Sequence, residues 1–173
     1  MKVQTNQQNP GNEHIESALS LLPIGNYLMT AAYDGQRSGM LVSGVQCCCR
    51  EPAMLCVSAR KGHKIDPLIR DSRTFAIGIV APNDKLILRR FTSNDSPPDE
   101  HEPSNGDDAF DAMPTKTLVT GAPVLTRCAT WFDCEVMRRV DLEAESELFV
   151  GLIVAIYHNG ERIEIDRPSD EHG

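Results

Sequence analysis

The stretch Tyr27–Cys48, YLMTAAYDGQRSGMLVSGVQCC, decides the fold. Tyr27 to Tyr33 is rich in β-formers. Asp34-Gly35 is a tight-turn dipeptide whose residues tolerate positive φ, and Ser38 to Cys48 follows as a returning strand. The unit is a β-hairpin, and the same signals recur downstream. Ala53 to Ser58 is a short apolar run behind Pro52 and predicts a buried strand. Thr74 to Val80, Ala129 to Arg138 and Glu147 to Tyr157 predict further strands. Asn159-Gly160 makes a second tight turn into Arg162 to Ile165. Helices are few. Ile15, Ala18, Leu19 and Leu22 share one face of a predicted helix over Glu13 to Leu22, stopped by Pro23. Asp66-Pro67 predicts an N-cap followed by proline at the first helical position, with the helix running to about Asp71. Asn83 or Asp84 caps a third helix through Leu86, Ile87 and Phe91. At least six strands, many joined by hairpins, with two or three short helices, predict an all-β dominated fold: a β-barrel with peripheral helices.

The chain has 173 residues, which suits one domain. That domain is read over 13–166, between a loose N-terminal tail at 1–12 and a polar C-terminal tail at 167–173. An acidic, proline-containing loop at 93–108 is read as an insertion. Hydrophobic residues make up 40% but aromatic residues only 5%, so aliphatic side chains fill the core and base-stacking platforms are scarce. A net charge of −8 without a long basic run argues against nucleic acid or an acidic membrane surface as partner. No segment approaches the roughly 20 apolar residues of a membrane span, and the polar start of the chain carries no apolar signal core. A cytoplasmic setting is expected. Cys47, Cys48, Cys49, Cys56, Cys128 and Cys134 include no Cys-x-x-Cys spacing. They are expected to be reduced thiols acting as small hydrophobes, with no metal site.

Two segments stand out chemically. Arg60, Lys61, His63 and Lys64 crowd five positions of an acidic chain, around Gly62, and lead into a helix N-terminus. Cations there, with backbone N–H groups, make either a phosphate seat or an ordinary solvated loop. Met40 to Cys49 mixes Ser43, Gly44 and Gln46 with three cysteines. Small side chains either let a flat ligand lie against the backbone or mark a crowded barrel corner. No nucleophile–base triad or carboxylate pair is visible, so no catalytic residue is named. Trp131 and Phe132 are read as core or dimer-contact residues.

The order of these features resembles the flavin reductase-like family with the FMN-binding split-barrel fold. The resemblance is carried by Gly39-Met40-Leu41-Val42-Ser43-Gly44-Val45, Glu51-Pro52, Arg73-Thr74-Phe75-Ala76-Ile77, Leu88-Arg89-Arg90-Phe91, Gly121-Ala122-Pro123-Val124-Leu125, Trp131-Phe132-Asp133-Cys134-Glu135-Val136 and Leu148-Phe149-Val150-Gly151, in that sequence. It implies a homodimer binding FMN, or FAD, near the subunit interface. It places Leu41, Val42, Ser43, Gly44, Gln46 and Cys47 along the flavin. Ser58, Ala59, Arg60, His63 and Lys64 fall in the phosphate region, and Arg90 near the nucleotide. Gly62 and Lys64 replace the family's usual loop hydroxyls. Where many members carry Gly-Asp-His, this chain reads Ala144-Glu145-Ser146.

The implied activity is NAD(P)H-dependent flavin reduction, with the cofactors carrying the chemistry. Two other readings are open: an FMN-retaining flavoprotein that passes electrons to a partner without NAD(P)H turnover, and a non-catalytic dimeric barrel that binds another anionic ligand.

Overall fold

The structure is a computed structural model and describes residues 10–92 and 108–165. Ten strands and three helices follow one another among these residues: α1 (Pro10–Leu19), β1 (Tyr27–Tyr33), β2 (Gln36–Val42), β3 (Gly44–Arg50), β4 (Ala53–Arg60), α2 (Ile65–Ser72), β5 (Thr74–Ile79), α3 (Lys85–Thr92), β6 (Thr115–Thr117), β7 (Pro123–Leu125), β8 (Thr130–Asp141), β9 (Ser146–His158) and β10 (Glu161–Glu164). All strand pairs are antiparallel. The main sheet runs β2-β1-β5-β8-β9-β4-β3, with β10 added to β9, and β6 and β7 form a separate ribbon.

The two ends of that strand order explain the shape. β2 ends at Val42 and β3 begins at Gly44, so opposite edges of the sheet are joined through Ser43 alone. A flat sheet of seven strands at about 4.8 Å spacing cannot bring its edges that close. The sheet must curl, giving an all-β dominated split barrel that opens at the Ser43 corner. The sequence reading of one strand over Ser38 to Cys48 is corrected here. The chain turns at Ser43 because the barrel closes there, and Gly44 tucks so near β4 that an added Cβ would stand 3.0 Å from the Ser58 Cβ.

Alternation along the strands builds two cores. Met29, Ala31, Met40, Val57, Phe75, Ile77 and Phe149 fill the barrel interior, where Ile65, Leu68 and Ile69 of α2 pack as a plug. Leu28, Ala76 and Trp131 point the other way, into a layer formed with Ile87 and Phe91 of α3 and with Phe110, Val124 and Leu125. Neighbours such as Leu28 and Met29 thus serve opposite faces, so β1 is buried on both faces from Leu28 to Ala31. Buried Thr30 donates to the Pro123 carbonyl at 2.6 Å, and the Trp131 indole donates to the Leu125 carbonyl at 2.9 Å.

Both tight turns form as expected, with positive φ at Asp34 and Gly35 and at Asn159 and Gly160. Asp84 caps α3, its Oδ1 accepting from the Ile87 N–H at 3.3 Å. Two boundaries move. α1 starts at Pro10, inside the segment read as a tail, because proline suits the first turn of a helix. It ends at Leu19, before the predicted Leu22, where Leu21 and Leu22 donate three residues back and tighten the last turn. In α2 the N-cap is Lys64, not Asp66. Pro67 then sits third in the helix, still among the N–H positions that lack an intrahelical partner. Residues 93–107 of the acidic loop and the C-terminal tail lie outside the described residues.

Candidate functional site

The Ser43 corner opens a cleft of about 290 Å³. Met40, Leu41, Val42, Ser43 and Gly44 form one wall; Ser58, Arg60 and Ser146 form the other. Register explains the second wall. Ser58 pairs with Gly44 across β3–β4, and Arg60 pairs with Ser146 across β4–β9. Leu55, Val57 and Ala59 point inward to the core, leaving Ser58 and Arg60 to face the cleft. The cleft therefore offers an apolar floor, three hydroxyls and one cation.

The charges around it are not equivalent. Lys61 is ion-paired with Asp141, a contact that holds the Asp141 carboxyl below the usual range. Its backbone N–H donates to the Glu145 carbonyl at 2.9 Å. Arg60 has no ion-pair partner among the described residues. It is the unneutralised cation in the cleft. Beneath the loop, Glu147 is 1% exposed and takes a two-point contact from Arg139, with Nη2 to Oε1 at 2.8 Å. Asp66 lies half-buried beside them. Burial pushes its carboxyl up, and Glu147 adds to that; the Gly62 N–H, Arg139 and His63 pull it down.

The cleft brings together Leu41, Val42, Ser43, Gly44, Ser58 and Arg60 of the residues read from sequence. The others lie off its lining. Ala59 is buried in the barrel core. His63 turns back onto its own loop, where Nδ1 accepts from the Ile65 N–H at 3.1 Å, and Lys64 caps α2 exposed to solvent. Gln46 is exposed on β3, two positions beyond Gly44. Arg90 sits half-buried on α3. Cys47 and Cys48 are exposed on the β3 edge, which corrects their reading as buried small hydrophobes. The register shifts between Cys47 and Cys49, so a bulge carries them off the barrel wall. Two lining residues were not read as site residues, Met40 and Ser146. The signal for Ser146 was the Ala144-Glu145-Ser146 segment, where family members often carry histidine. Among the described residues no cluster of histidine, cysteine or carboxylates could hold a metal ion, and no helix is long and apolar enough to cross a membrane.

A flavin nucleotide is a flat apolar ring system bearing a polar edge, a hydroxylated chain and a phosphate. The cleft's lining offers matching groups: apolar side chains and backbone at the Ser43 corner, the hydroxyls of Ser43, Ser58 and Ser146, and the Arg60 guanidinium. The glycine at position 44 keeps the corner low, since any side chain there would crowd Ser58.

Comparisons with known proteins identify the family and the fold. The family described as "Flavin reductase like domain" matches residues 19–165. Diflavin flavoprotein A 1 of Synechocystis sp. is 27% identical over 127 residues, covering 73% of this chain but only 21% of that protein's length. The FMN reductase (NADH) RutF of Bradyrhizobium diazoefficiens is 23% identical over 146 residues, covering 84% of this chain and 76% of that protein. Among solved structures, the Streptomyces globisporus C-1027 NADH:FAD oxidoreductase SgcE6 superposes with a TM-score of 0.68 at 15% identity, covering 96% of this chain and 99% of that one.

Proposed function

The chain belongs to the flavin reductase like domain family, and from that premise we propose that it binds FMN, with FAD as a larger variant, in the Ser43 cleft and reduces flavin using NAD(P)H. The observation that carries this reading is the unpaired Arg60 guanidinium facing the Ser43–Gly44 corner in one cleft. A bound flavin supplies a ring that accepts a hydride. The chain supplies binding and orientation. Backbone groups at residues 41–44 hold the polar ring edge. Ser58 and Ser146 meet the hydroxylated chain, and Arg60 seats the phosphate through charge-assisted hydrogen bonds. His63 and Lys64 add positive field from the same loop. Gln46 reaches the ligand only where it extends along β3, and Cys47 and Arg90 contribute least.

Support for FMN comes from the relative named for FMN and NADH; the structural neighbour named for FAD keeps the larger cofactor in view. Leu21 and Ile24 after α1, 85% and 76% exposed, support a homodimer that covers them. A cytoplasmic setting, with all six cysteines free, completes the proposal.

A second reading has its own observation. Ser146 lines the cleft where family members often carry an imidazole, and this favours a flavoprotein that keeps FMN and passes electrons to a protein partner. Mixing the purified chain with FMN and NADH or NADPH separates the two. Nicotinamide oxidation that depends on FMN is expected; tight FMN binding with no nicotinamide oxidation would overturn reductase activity and leave the second reading.

A further inference from the structure

We propose that Asp66 is a positioning residue that locks the turn at residues 60–64 into the shape from which Arg60 reaches a ligand phosphate. The inference rests on the phosphate seat proposed above and adds the device that shapes it. Gly62 adopts φ +79°, a conformation costly for other residues, and its N–H donates to Asp66 Oδ2 at 2.6 Å. The Asp66 N–H returns a bond to the His63 carbonyl at 3.0 Å. The turn is thereby closed onto the first turn of α2. On its other side, Lys61 ties the same turn to Glu145 and Asp141, in the β8–β9 hairpin that ends in Ser146. Arg60 and Ser146, which share one wall of the cleft, are both referenced to this clamped loop.

The choice of a carboxylate is informative. Asp66 Oδ1 is buried with no hydrogen-bond partner among the described residues, and the carboxyl feels the opposing charge of Glu147 as well as the favourable charges of Arg139 and His63. Such placement is unfavourable for a charge. A negative group this close to a phosphate seat also opposes an anion through space. Its benefit must therefore be geometric: a charge-assisted bond to the Gly62 N–H, stronger than a neutral one, fixes a turn that the backbone alone would not hold.

Riboflavin lacks the phosphate of FMN, so the ratio of the two affinities isolates the seat. Both are measured by quenching of flavin fluorescence with wild type, Asp66→Ala and Asp66→Asn. Wild type is expected to prefer FMN. Asp66→Ala is expected to lose about tenfold in FMN affinity while riboflavin affinity stays within about twofold. Asp66→Asn, whose amide oxygen still accepts the Gly62 N–H but without the charge, is expected to fall between wild type and Asp66→Ala. Gly62→Ala is the second variant, should Asp66→Ala fail to fold. An added Cβ there meets nothing within 4 Å, so only the turn is strained, and the ratio must fall in the same way. A wild-type ratio retained in Asp66→Ala or Gly62→Ala, or equal losses for both ligands, overturns the role of Asp66 alone. A wild type that binds FMN and riboflavin equally overturns the phosphate seat itself, and this inference with it.

Discussion

At the scale of single residues, Arg60 bears the most weight. Its neighbour Lys61 spends its charge on Asp141, whereas Arg60 faces the cleft. Arg60→Ala is expected to weaken FMN binding by about ten- to hundredfold, the ~1.5–3 kcal/mol of a hydrogen bond to a charged group. Fluorescence titration checks this, and unchanged affinity would reduce the basic loop to a solvated one. Gly44→Val tests the other wall. The added bulk meets Ser58 and fills the corner, so FMN affinity is expected to fall, with a stability cost of about 1–3 kcal/mol from overpacking. The cysteines divide sharply. Cys47 and Cys48 are exposed and Cys128 and Cys134 are buried. Burial, with Asp84 adding, raises the Cys128 thiol from 9.0 to about 11. The folded chain thus keeps that proton longer than the unfolded one. Its contribution to stability is complete below about pH 9 and is lost as pH climbs through about 11. Mass spectrometry after brief alkylation at neutral pH should find Cys47 and Cys48 labelled and Cys128 and Cys134 intact.

At the scale of elements, the hairpins were legible because their turns are chemically explicit. Asp34-Gly35 and Asn159-Gly160 supply consecutive residues that accept positive φ. The break at Ser43 was not legible, because nothing local ends a strand there; closure of the sheet does. The Asp66 cap was misread for a related reason. Its carboxylate does bond a backbone N–H, but that of Gly62, four residues before it. Tight contacts between strands also escape a linear reading. A Cβ on Gly151 of β9 would stand 2.5 Å from the Phe75 ring and 2.9 Å from the Cys134 Cβ. Gly151→Ala is therefore expected to cost about 1–3 kcal/mol through overpacking. Arg139→Ala strands the buried Glu147. It should cost about 1–3 kcal/mol, less than a fully buried pair because Arg139 is 40% exposed. Denaturant melts of both variants decide these values.

At the scale of the whole molecule, the barrel brings two segments that stand out in the sequence into one cleft. Residues 40–44 and Arg60 each looked unusual in the sequence, and family resemblance placed them on one ligand. Ser146 joined them only through the β4–β9 register, which pairs it with Arg60 and which no local pattern encodes. Met40 reads as an ordinary core residue, and its place in the cleft wall comes only from the closure of the barrel. The exposed Leu21 and Ile24 lead us to expect a dimer by sedimentation velocity, and a monomer at all concentrations would leave that surface unexplained. The central claim is that the Ser43 cleft holds a flavin nucleotide with its phosphate on Arg60. Calorimetric titration of FMN into the purified chain tests it most directly. The account predicts saturable binding of one FMN per chain, weakened in Arg60→Ala; no saturable binding of FMN to the wild-type chain would contradict it.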